Sequence, residues 1–335
     1  MRNPITWFRK ERPDRQRLAF VYQLSRQLLS GKQLFNLAAS DVRRGIIKGQ
    51  PRRPARRDRT RRPPRACQAH GMVECMKPEL RIFQDSERLS RHAANLFIEE
   101  SNRSIRERDR FLVALNGRHT TRLFQLLAED YSKEIDWSKV HVFWGDERCV
   151  PPDDEGSNYH QANELLLSKV SLPENNVHRV EGELDPASAS KKYAETLKTF
   201  AEPDLDFPRF DLVYLGMGED GHTASLFPHS PVQVNEPVIA VTANYQDRPA
   251  NRVTLTQQVF NQARMIVFMA TGEKKAETLA HVLSERYNPE LYPAQRIDPK
   301  DGQLIWLVDE SAASKLPRKI RGLKICEGCL RPHRS

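Results

Sequence analysis

The chain has 335 residues, with 53 Lys and Arg against 44 Asp and Glu, and a formal net charge of +9. This length can bury a substantial core as one large domain or two. No apolar run of about 18 or more residues is present to predict a membrane span. Five cysteines in so long a chain argue against a disulfide framework and favour reduced thiols.

The basic charge is concentrated in residues 1–75, which hold 19 Lys and Arg and only 5 Asp and Glu. The remaining residues hold 34 basic and 39 acidic side chains, so they are mildly acidic. The segment Gly49–Arg65 combines prolines with mutually repelling guanidinium groups, which predicts a largely disordered leader. Before it, apolar residues between Leu18 and Leu37 follow a loosely helical spacing that allows a short amphipathic helix.

After residue 80, short apolar runs alternate with longer amphipathic segments. The short runs predict the strands Phe111–Leu115, Val140–Trp144, Leu212–Leu215, Val238–Thr242, Met265–Ala270 and Leu304–Val308. The amphipathic segments predict the helices Ser86–Glu107, Arg122–Tyr131, Asn158–Val170, Pro186–Phe200 and Lys274–Arg286. This alternation predicts an α/β fold: a doubly wound, mostly parallel sheet with helices on both faces, in a modified Rossmann-like arrangement.

The stretch Asp211–Pro228 is the strongest candidate for a functional site. It begins as a short apolar run and then breaks into glycines at positions 216, 218 and 221. Glycine permits positive φ and close backbone approach, and open α/β sheets bind ligands at the ends of such strands. Asp220 and His222 place an acid and an imidazole in this turn. Glycine spacing alone is equally compatible with an ordinary strand-to-helix turn.

Residues Gly216–Pro228 resemble the hallmark motif of the 6-phosphogluconolactonases, a family related to the glucosamine-6-phosphate isomerases. Further similar segments follow the family's order: Phe143–Pro151, Ser157–Tyr159, Asn251–Thr256, Thr271–Ala276, Pro293–Gln295 and Trp306–Asp309. The resemblance covers residues 78–316. It implies a 6-phosphogluconolactonase domain at residues 76–317, between the basic leader 1–75 and a basic tail at 318–335.

The resemblance implies an enzyme of the oxidative pentose phosphate pathway that hydrolyses 6-phosphogluconolactone in the cytoplasm. The implied partner is a small sugar phosphate, with no cofactor, metal or membrane, and the implied assembly is a monomer or small homo-oligomer. A reactive lactone needs one base to activate water and one cationic or dipolar group for the developing oxyanion. The resemblance assigns His222 as the general base, Asp220 as its supporting acid, and Arg148 to substrate and oxyanion contacts.

Substrate contacts implied by the resemblance fall on residues in five segments: Asp146, Gly117, Thr120, Gly218, Arg252 and Lys274. One segment departs from the family pattern. Where the family has a Ser-Gly-Gly-Ser-Thr-Pro loop, this chain has Asn116–Thr121, and only Gly117 and Thr120 match. Arg118 replaces a glycine, and its side chain either fills the phosphate pocket or adds positive charge to it.

Two alternative functions remain open on sequence grounds. A glucosamine-6-phosphate isomerase or deaminase is disfavoured, because Thr223–Pro228 differs from the Phe-Asn-Glu-Pro-like run typical of that enzyme. A sugar-phosphate-binding protein with weakened or lost turnover would follow if the altered Asn116–Thr121 loop blocked catalysis.

The leader allows three interpretations. It is a basic arm that binds nucleic acid or another polyanion, an Arg-rich targeting peptide, or an extension without a selected role if translation begins at Met76. The third is favoured, because the family resemblance begins next to Met76. Near the other end, Cys326, Cys329 and His333 form only a partial zinc-like set, which is interpreted as incidental in a basic tail.

Overall fold

A computed structural model describes residues 78–117, 120–246, 248–284 and 286–321. The predictions for the leader, for Arg118 and for the cysteines of the tail therefore lie outside the described residues. Within these ranges, no helix combines the length and apolar character that crossing a bilayer requires.

Ten strands occur in the described residues. They are β1 Glu79–Phe83, β2 Phe111–Leu115, β3 Val140–Trp144, β4 Asp146–Arg148, β5 Val177–His178, β6 Leu212–Gly216, β7 Val238–Thr242, β8 Asn251–Leu255, β9 Met265–Ala270 and β10 Gln303–Asp309. Seven of them form a sheet in the order β1-β10-β9-β6-β2-β3-β5, and every neighbouring pair is parallel. The other three form an antiparallel sheet in the order β4-β8-β7.

The helices of the described residues are α1 Ser86–Arg108, α2 Thr121–Glu129, α3 Asn158–Leu165, α4 Pro186–Lys198, α5 Gln257–Phe260, α6 Ala276–Val282 and α7 Arg318–Arg321. A carboxylate or hydroxyl side chain caps the amino-terminal end of α4 and of α3. Asp185 accepts hydrogen bonds from the first-turn amides of α4, whose first residue is a proline, and Ser157 accepts one from the first turn of α3. Such caps satisfy amides that have no partner inside the helix.

The central strands are buried on both faces, so alternate residues of one strand enter two different cores. In β2, Leu112 and Ala114 pack towards α4, α6 and the small sheet. Phe111 and Val113 pack on the other face, against α1, α2 and α3. A hydrogen bond of 2.7 Å from the Tyr214 hydroxyl to the Ala93 carbonyl ties β6 to α1. The carboxyl ends of β2, β3, β6 and β9 therefore meet at one edge of a rigid sheet.

The predicted fold class is confirmed, and four predicted strands match their observed bounds. The other two are longer by one residue at one or both ends. Three expectations were wrong. Val238–Thr242 lies in the antiparallel sheet rather than the parallel one. The helix predicted at Asn158–Val170 ends at Leu165, and the one predicted at Lys274–Arg286 spans only Ala276–Val282. At the end of the latter helix, the Gln295 amide group donates to the carbonyls of residues 281 and 282.

A stacked histidine pair lies at the β3–β5 edge of the sheet. The rings of His141 and His178 are nearly parallel, with 3.2 Å between Nδ1 of the first and Nε2 of the second. His178 also packs against Phe143 and Phe200. Burial, assisted by the neighbouring His141, lowers the pKa of His178 from 6.5 to about 4. The folded chain therefore holds this imidazole neutral where an unfolded chain would protonate it.

This burial predicts a loss of stability in mild acid. Between pH 6.5 and 4 the unfolded chain binds a proton that the folded chain excludes, so the free energy of unfolding falls as pH falls. The substitution His178→Phe keeps an aromatic ring and removes the titration, so its stability should fall less over the same range. Urea unfolding at several pH values measures how the free energy of unfolding of each protein depends on pH. The same pH dependence in wild type and His178→Phe would contradict the lowered pKa of His178.

Candidate active site

The glycine turn after β6 folds back on itself through its own backbone. The amide of Gly218 donates to the carbonyl of His222 at 2.8 Å, and that of Gly221 donates to the carbonyl of Gly218 at 3.1 Å. Gly221 has φ of +83°, a conformation that favours glycine. The Thr223 hydroxyl donates to the carbonyl of Gly216 at 2.9 Å and anchors the turn to the end of the strand. His222 is thereby held over the carboxyl end of a central strand.

His222 and Asp220 form a hydrogen-bonded pair within this turn. Nδ1 of the imidazole lies 2.6 Å from Oδ1 of the carboxylate, which also accepts the backbone amide of His222 at 3.1 Å. Burial alone would raise the pKa of Asp220, but the hydrogen bonds and charge of His222 outweigh it and lower that pKa. An ionised carboxylate only accepts hydrogen bonds, so Nδ1 carries the proton and Nε2 of the neutral ring is the basic nitrogen.

Gly218 lies directly beneath this pair. A Cβ atom at Gly218 would lie 2.1 Å from Nδ1 of His222 and 2.6 Å from Oδ1 of Asp220. Both distances are far shorter than van der Waals contact, so only glycine leaves space for the two side chains to meet. The sequence assigned Gly218 to substrate binding, and the structure gives it a further role in making room for the pair.

Two aromatic rings hold the imidazole from different sides. Phe227 and Tyr245 each lie with ring centroids 4.7 Å from that of His222, with interplanar angles of 32° and 78°. Phe227 belongs to the hallmark motif, whereas Tyr245 lies on the connection between β7 and β8 and was not identified from the sequence. No local sequence pattern identifies Tyr245, because it contacts His222 only once the β7–β8 hairpin has packed against the glycine turn.

Two buried arginines lie opposite each other in the small sheet. Arg148 on β4 is in register with Arg252 on β8, and their exposed fractions are 6% and 2%. The Arg148 Nη1 group donates to the carbonyl of Gly156. Nε of Arg148 and both Nε and Nη2 of Arg252 are buried with no hydrogen-bond acceptor among the described residues. Like charges opposite each other are destabilising, so a bound anion would relieve the repulsion between the two guanidinium groups.

Arg252 is also linked to the imidazole. Its guanidinium carbon lies 5.5 Å from the centre of the Phe227 ring, which also contacts His222. Burial lowers the pKa of Arg252, and Arg148 and Arg248 lower it further, while the charge of Asp146 opposes them. The site therefore concentrates positive charge close to its basic nitrogen.

Asp146 and Glu147 are engaged with the protein itself. Asp146 accepts hydrogen bonds from the Ser225 hydroxyl at 2.8 Å and from the Asn158 amide at 3.3 Å, so its predicted contact with sugar hydroxyls stays a prediction. Glu147, which the sequence did not single out, accepts the first amides of α3, those of Asn158 and Tyr159. Burial raises the pKa of Glu147 against these hydrogen bonds.

The loop after β2 closes against the same group of residues. A Cβ atom at Gly117 would lie 2.4 Å from Oδ1 of Asn158, so glycine is needed for this close approach. The Thr120 hydroxyl contacts the carbonyl oxygens of Asn116 and Gly117 at 2.7 and 2.8 Å. Gly117 is thus brought beside Asn158, and Thr120 is bonded to the backbone of the same loop, while the effect of Arg118 stays a prediction.

The two adjacent lysines after β9 differ in placement. Lys274 is exposed, whereas Lys275 is 8% exposed and its pKa is lowered to about 8 by burial, against the charges of Glu219 and Asp309. Glu219 belongs to the glycine turn, so the buried Lys275 lies near that turn. The sequence indicated Lys274 instead. Which of the two lysines is buried depends on the backbone at Gly272, which has φ of +90° and donates to the Asp309 carboxylate.

The assembled side chains supply a base and several cations. In the described part of the chain, no group of three or more His, Cys, Asp or Glu side chains is arranged to hold a metal ion. His222 can accept a proton from water, and the guanidinium and ammonium groups around it can bind an anionic substrate. The geometry is therefore that of a general-base site for a negatively charged molecule.

Comparison with known proteins agrees with this arrangement. Residues 84–306 match the profile of the family described as glucosamine-6-phosphate isomerases/6-phosphogluconolactonase. The chain belongs to this family. The 6-phosphogluconolactonase of Synechocystis sp. is 36% identical over 244 residues, covering 72% of this chain and 99% of that protein. Probable 6-phosphogluconolactonase 1 of Arabidopsis thaliana is 34% identical over 252 residues, covering 72% and 94%.

A solved structure extends the comparison to the fold. The 6-phosphogluconolactonase from Thermotoga maritima is similar with a TM-score of 0.61 and 29% identity, covering 70% of this chain and 100% of that one. The family resemblance of the hallmark motifs is thereby confirmed. The matched residues fall inside the predicted domain 76–317, whose own limits stay a prediction.

The steric role of Gly218 predicts that Gly218→Ala separates His222 from Asp220. The imidazole Nδ1 proton, held by the carboxylate, should give a low-field proton NMR signal in the wild type and lose it in the variant. Gly145→Ala is the matched control, because its Cβ would make an ordinary 3.5 Å contact with Phe260. A signal that persists in Gly218→Ala would show that the turn relaxes without breaking the pair.

The buried arginine pair predicts an unusual stability change for Arg252→Met. Because two buried nitrogens of Arg252 have no acceptor among the described residues and Arg148 repels it, the free energy of unfolding without added anion should be equal to or above that of the wild type. Inorganic phosphate should raise the melting temperature of the wild type and have little effect on the variant. Arg106→Met, an exposed arginine on α1, should retain the phosphate response. A marked destabilisation without phosphate would contradict this account.

Proposed function

We propose that the chain hydrolyses 6-phosphogluconolactone to 6-phosphogluconate. The observation that carries this proposal is the His222–Asp220 pair surrounded by cations from separate segments of the chain. A base for water and positive charge for both a phosphate and a developing oxyanion are what hydrolysis of a phosphorylated lactone requires. The names of the relatives, which are 6-phosphogluconolactonases, support the same reaction.

The reaction begins with proton transfer to His222. Nε2 of the imidazole takes a proton from a water molecule as its oxygen attacks the lactone carbonyl carbon. Asp220 holds Nδ1–H and stabilises the imidazolium that forms. The carbonyl oxygen becomes an oxyanion, and we assign Arg148 to it, as expected from the resemblance.

Collapse of the tetrahedral intermediate opens the ring. The bond between the carbonyl carbon and the ring oxygen breaks, and the imidazolium returns its proton to that oxygen, which becomes a hydroxyl group. The product carboxylic acid ionises in water, and His222 is again neutral. No step changes an oxidation state, so water is the only co-reactant.

The phosphate is assigned to Arg252 and Lys275. Arg252 has two buried nitrogens without an acceptor among the described residues and can grip a phosphate at two points. Lys275 adds a point charge from the turn after β9, in place of the exposed Lys274 that the sequence indicated. Gly117 and Thr120 lie on the loop that packs beside Asn158, and we assign that loop to the phosphate end of the substrate, as expected from the resemblance.

The alternatives differ in measurable ways. A binding protein without turnover would retain the cations and bind sugar phosphates while hydrolysing nothing. A glucosamine-6-phosphate deaminase would release ammonia from an amino sugar. The relatives' names support the lactonase over both, and a cytoplasmic location and a role in the oxidative pentose phosphate pathway belong to the same proposal.

The decisive measurement is hydrolysis of freshly made 6-phosphogluconolactone by the full chain, with spontaneous ring opening subtracted. His222→Ala should lower kcat by roughly 100-fold or more, the scale of a lost general base. Asp220→Asn should lower it less, because the ring loses only its orienting partner. His92→Gln, which replaces a histidine on α1, is the control and should keep normal turnover. Near-normal turnover in His222→Ala would contradict the assignment of the base.

A further inference from the structure

The connection between β7 and β8 brings two side chains to its tip. The Ala243 amide donates to the Ala250 carbonyl at 2.9 Å and extends the ladder of the hairpin beyond the strands. At the tip, the Arg248 amide donates to the Tyr245 carbonyl at 3.2 Å and closes a tight turn. The Arg248 guanidinium carbon lies 5.8 Å from the centre of the Tyr245 ring. The turn therefore presents an aromatic ring and a cation together.

Phe227 and Arg252 form a second pair of an aromatic ring and a guanidinium group beside the imidazole. Phe227 and Tyr245 both contact His222, and their ring centroids lie 6.0 Å apart. Arg252 lies over Phe227, and Arg248 lies over Tyr245. Each guanidinium group is thus one aromatic ring away from the basic imidazole.

The charges agree with this geometry. Burial is the main reason that the pKa values of Arg252 and Lys275 are lowered, and the positive charge of Arg248 lowers both further. Arg248 is therefore close enough to these two cations to lower their pKa values. A third cation close to Arg252 and Lys275 is unfavourable in the free protein, because the three charges repel one another. It becomes favourable once an anion binds among them.

We propose that Arg248 binds the phosphate of the sugar-phosphate substrate together with Arg252, so that the hairpin tip helps to select phosphorylated substrates. This inference rests on the proposed function, because it names a further residue of the same site. Tyr245 fixes the guanidinium through its ring face, in the manner of a cation–π contact. Phosphate recognition is then shared between a strand residue, Arg252, and a turn residue, Arg248.

The test compares Arg248→Ala and Arg248→Lys with the wild-type full chain. In Arg248→Ala, KM for 6-phosphogluconolactone and the inhibition constant of inorganic phosphate should both rise roughly tenfold to a hundredfold, the scale of a lost charge-assisted hydrogen bond. The value of kcat should change little, because the imidazole pair is intact. Arg248→Lys should recover part of the affinity. Arg106→Ala, an exposed arginine on α1, should match the wild type in every measurement.

Two results would overturn the inference. Unchanged KM and phosphate inhibition would show that Arg248 does not bind the anion. A fall in kcat at constant KM would show that Arg248 acts on His222 through Tyr245 instead. Calorimetric titration of wild type and Arg248→Ala with inorganic phosphate tests the contact without turnover. A wild type that binds phosphate but hydrolyses no lactone would refute the proposed function alone, and equal phosphate binding by both proteins would refute the Arg248 contact.

Discussion

The pairing of β4 with β8 imposes the main constraint on this site, because it sets two buried arginines side by side. Much of the surrounding structure holds that unfavourable pair in place. The nearest opposing charge is Asp146, and it is oriented by hydrogen bonds from Ser225 and Asn158. Asn158 in turn begins α3, a helix whose first amides are capped by the buried Glu147. A short run of three residues on β4 therefore supplies the counter-charge, the helix cap and one of the arginines.

Distant loops are joined through the same contacts. The loop after β2 can approach only because Gly117 has no side chain to collide with Asn158. Ser225 belongs to the segment that follows His222, so its hydrogen bond to Asp146 connects the imidazole turn to the arginine pair. The turn after β9 is fixed by the Asp309 carboxylate, which accepts the amide of Gly272 and so directs Lys275 inward. The parallel sheet brings these loops to one edge, and a few buried polar contacts then set their spacing.

The sequence predicts the strands of the parallel sheet better than it predicts the contacts between the loops. Strands buried on both faces are continuous apolar runs, so β2, β3 and β9 were predicted at their observed bounds. Strand β4 could not be predicted, because its residues Asp146–Arg148 are all charged and owe their burial to tertiary contacts. The sequence cannot show that Lys275 rather than Lys274 is buried, because this depends on the backbone conformation of a turn that is set by Gly272. Tyr245 and Arg248 carry no local signal, since their contacts depend on how a hairpin returns to the site.

The acid–base part of the site is local, and the charge-binding part is not. Asp220 reaches both the backbone amide and the ring of a residue two positions later, a geometry that suits the short aspartate side chain. Five consecutive residues, Gly218–His222, therefore contain the whole pair and the space it needs. The cations come instead from β4, β8, the turn after β9 and a hairpin tip. A general base must be held to within a fraction of an ångström, whereas charges act over longer distances. A single rigid turn can therefore position the base, while the cations can come from several segments that converge on the site.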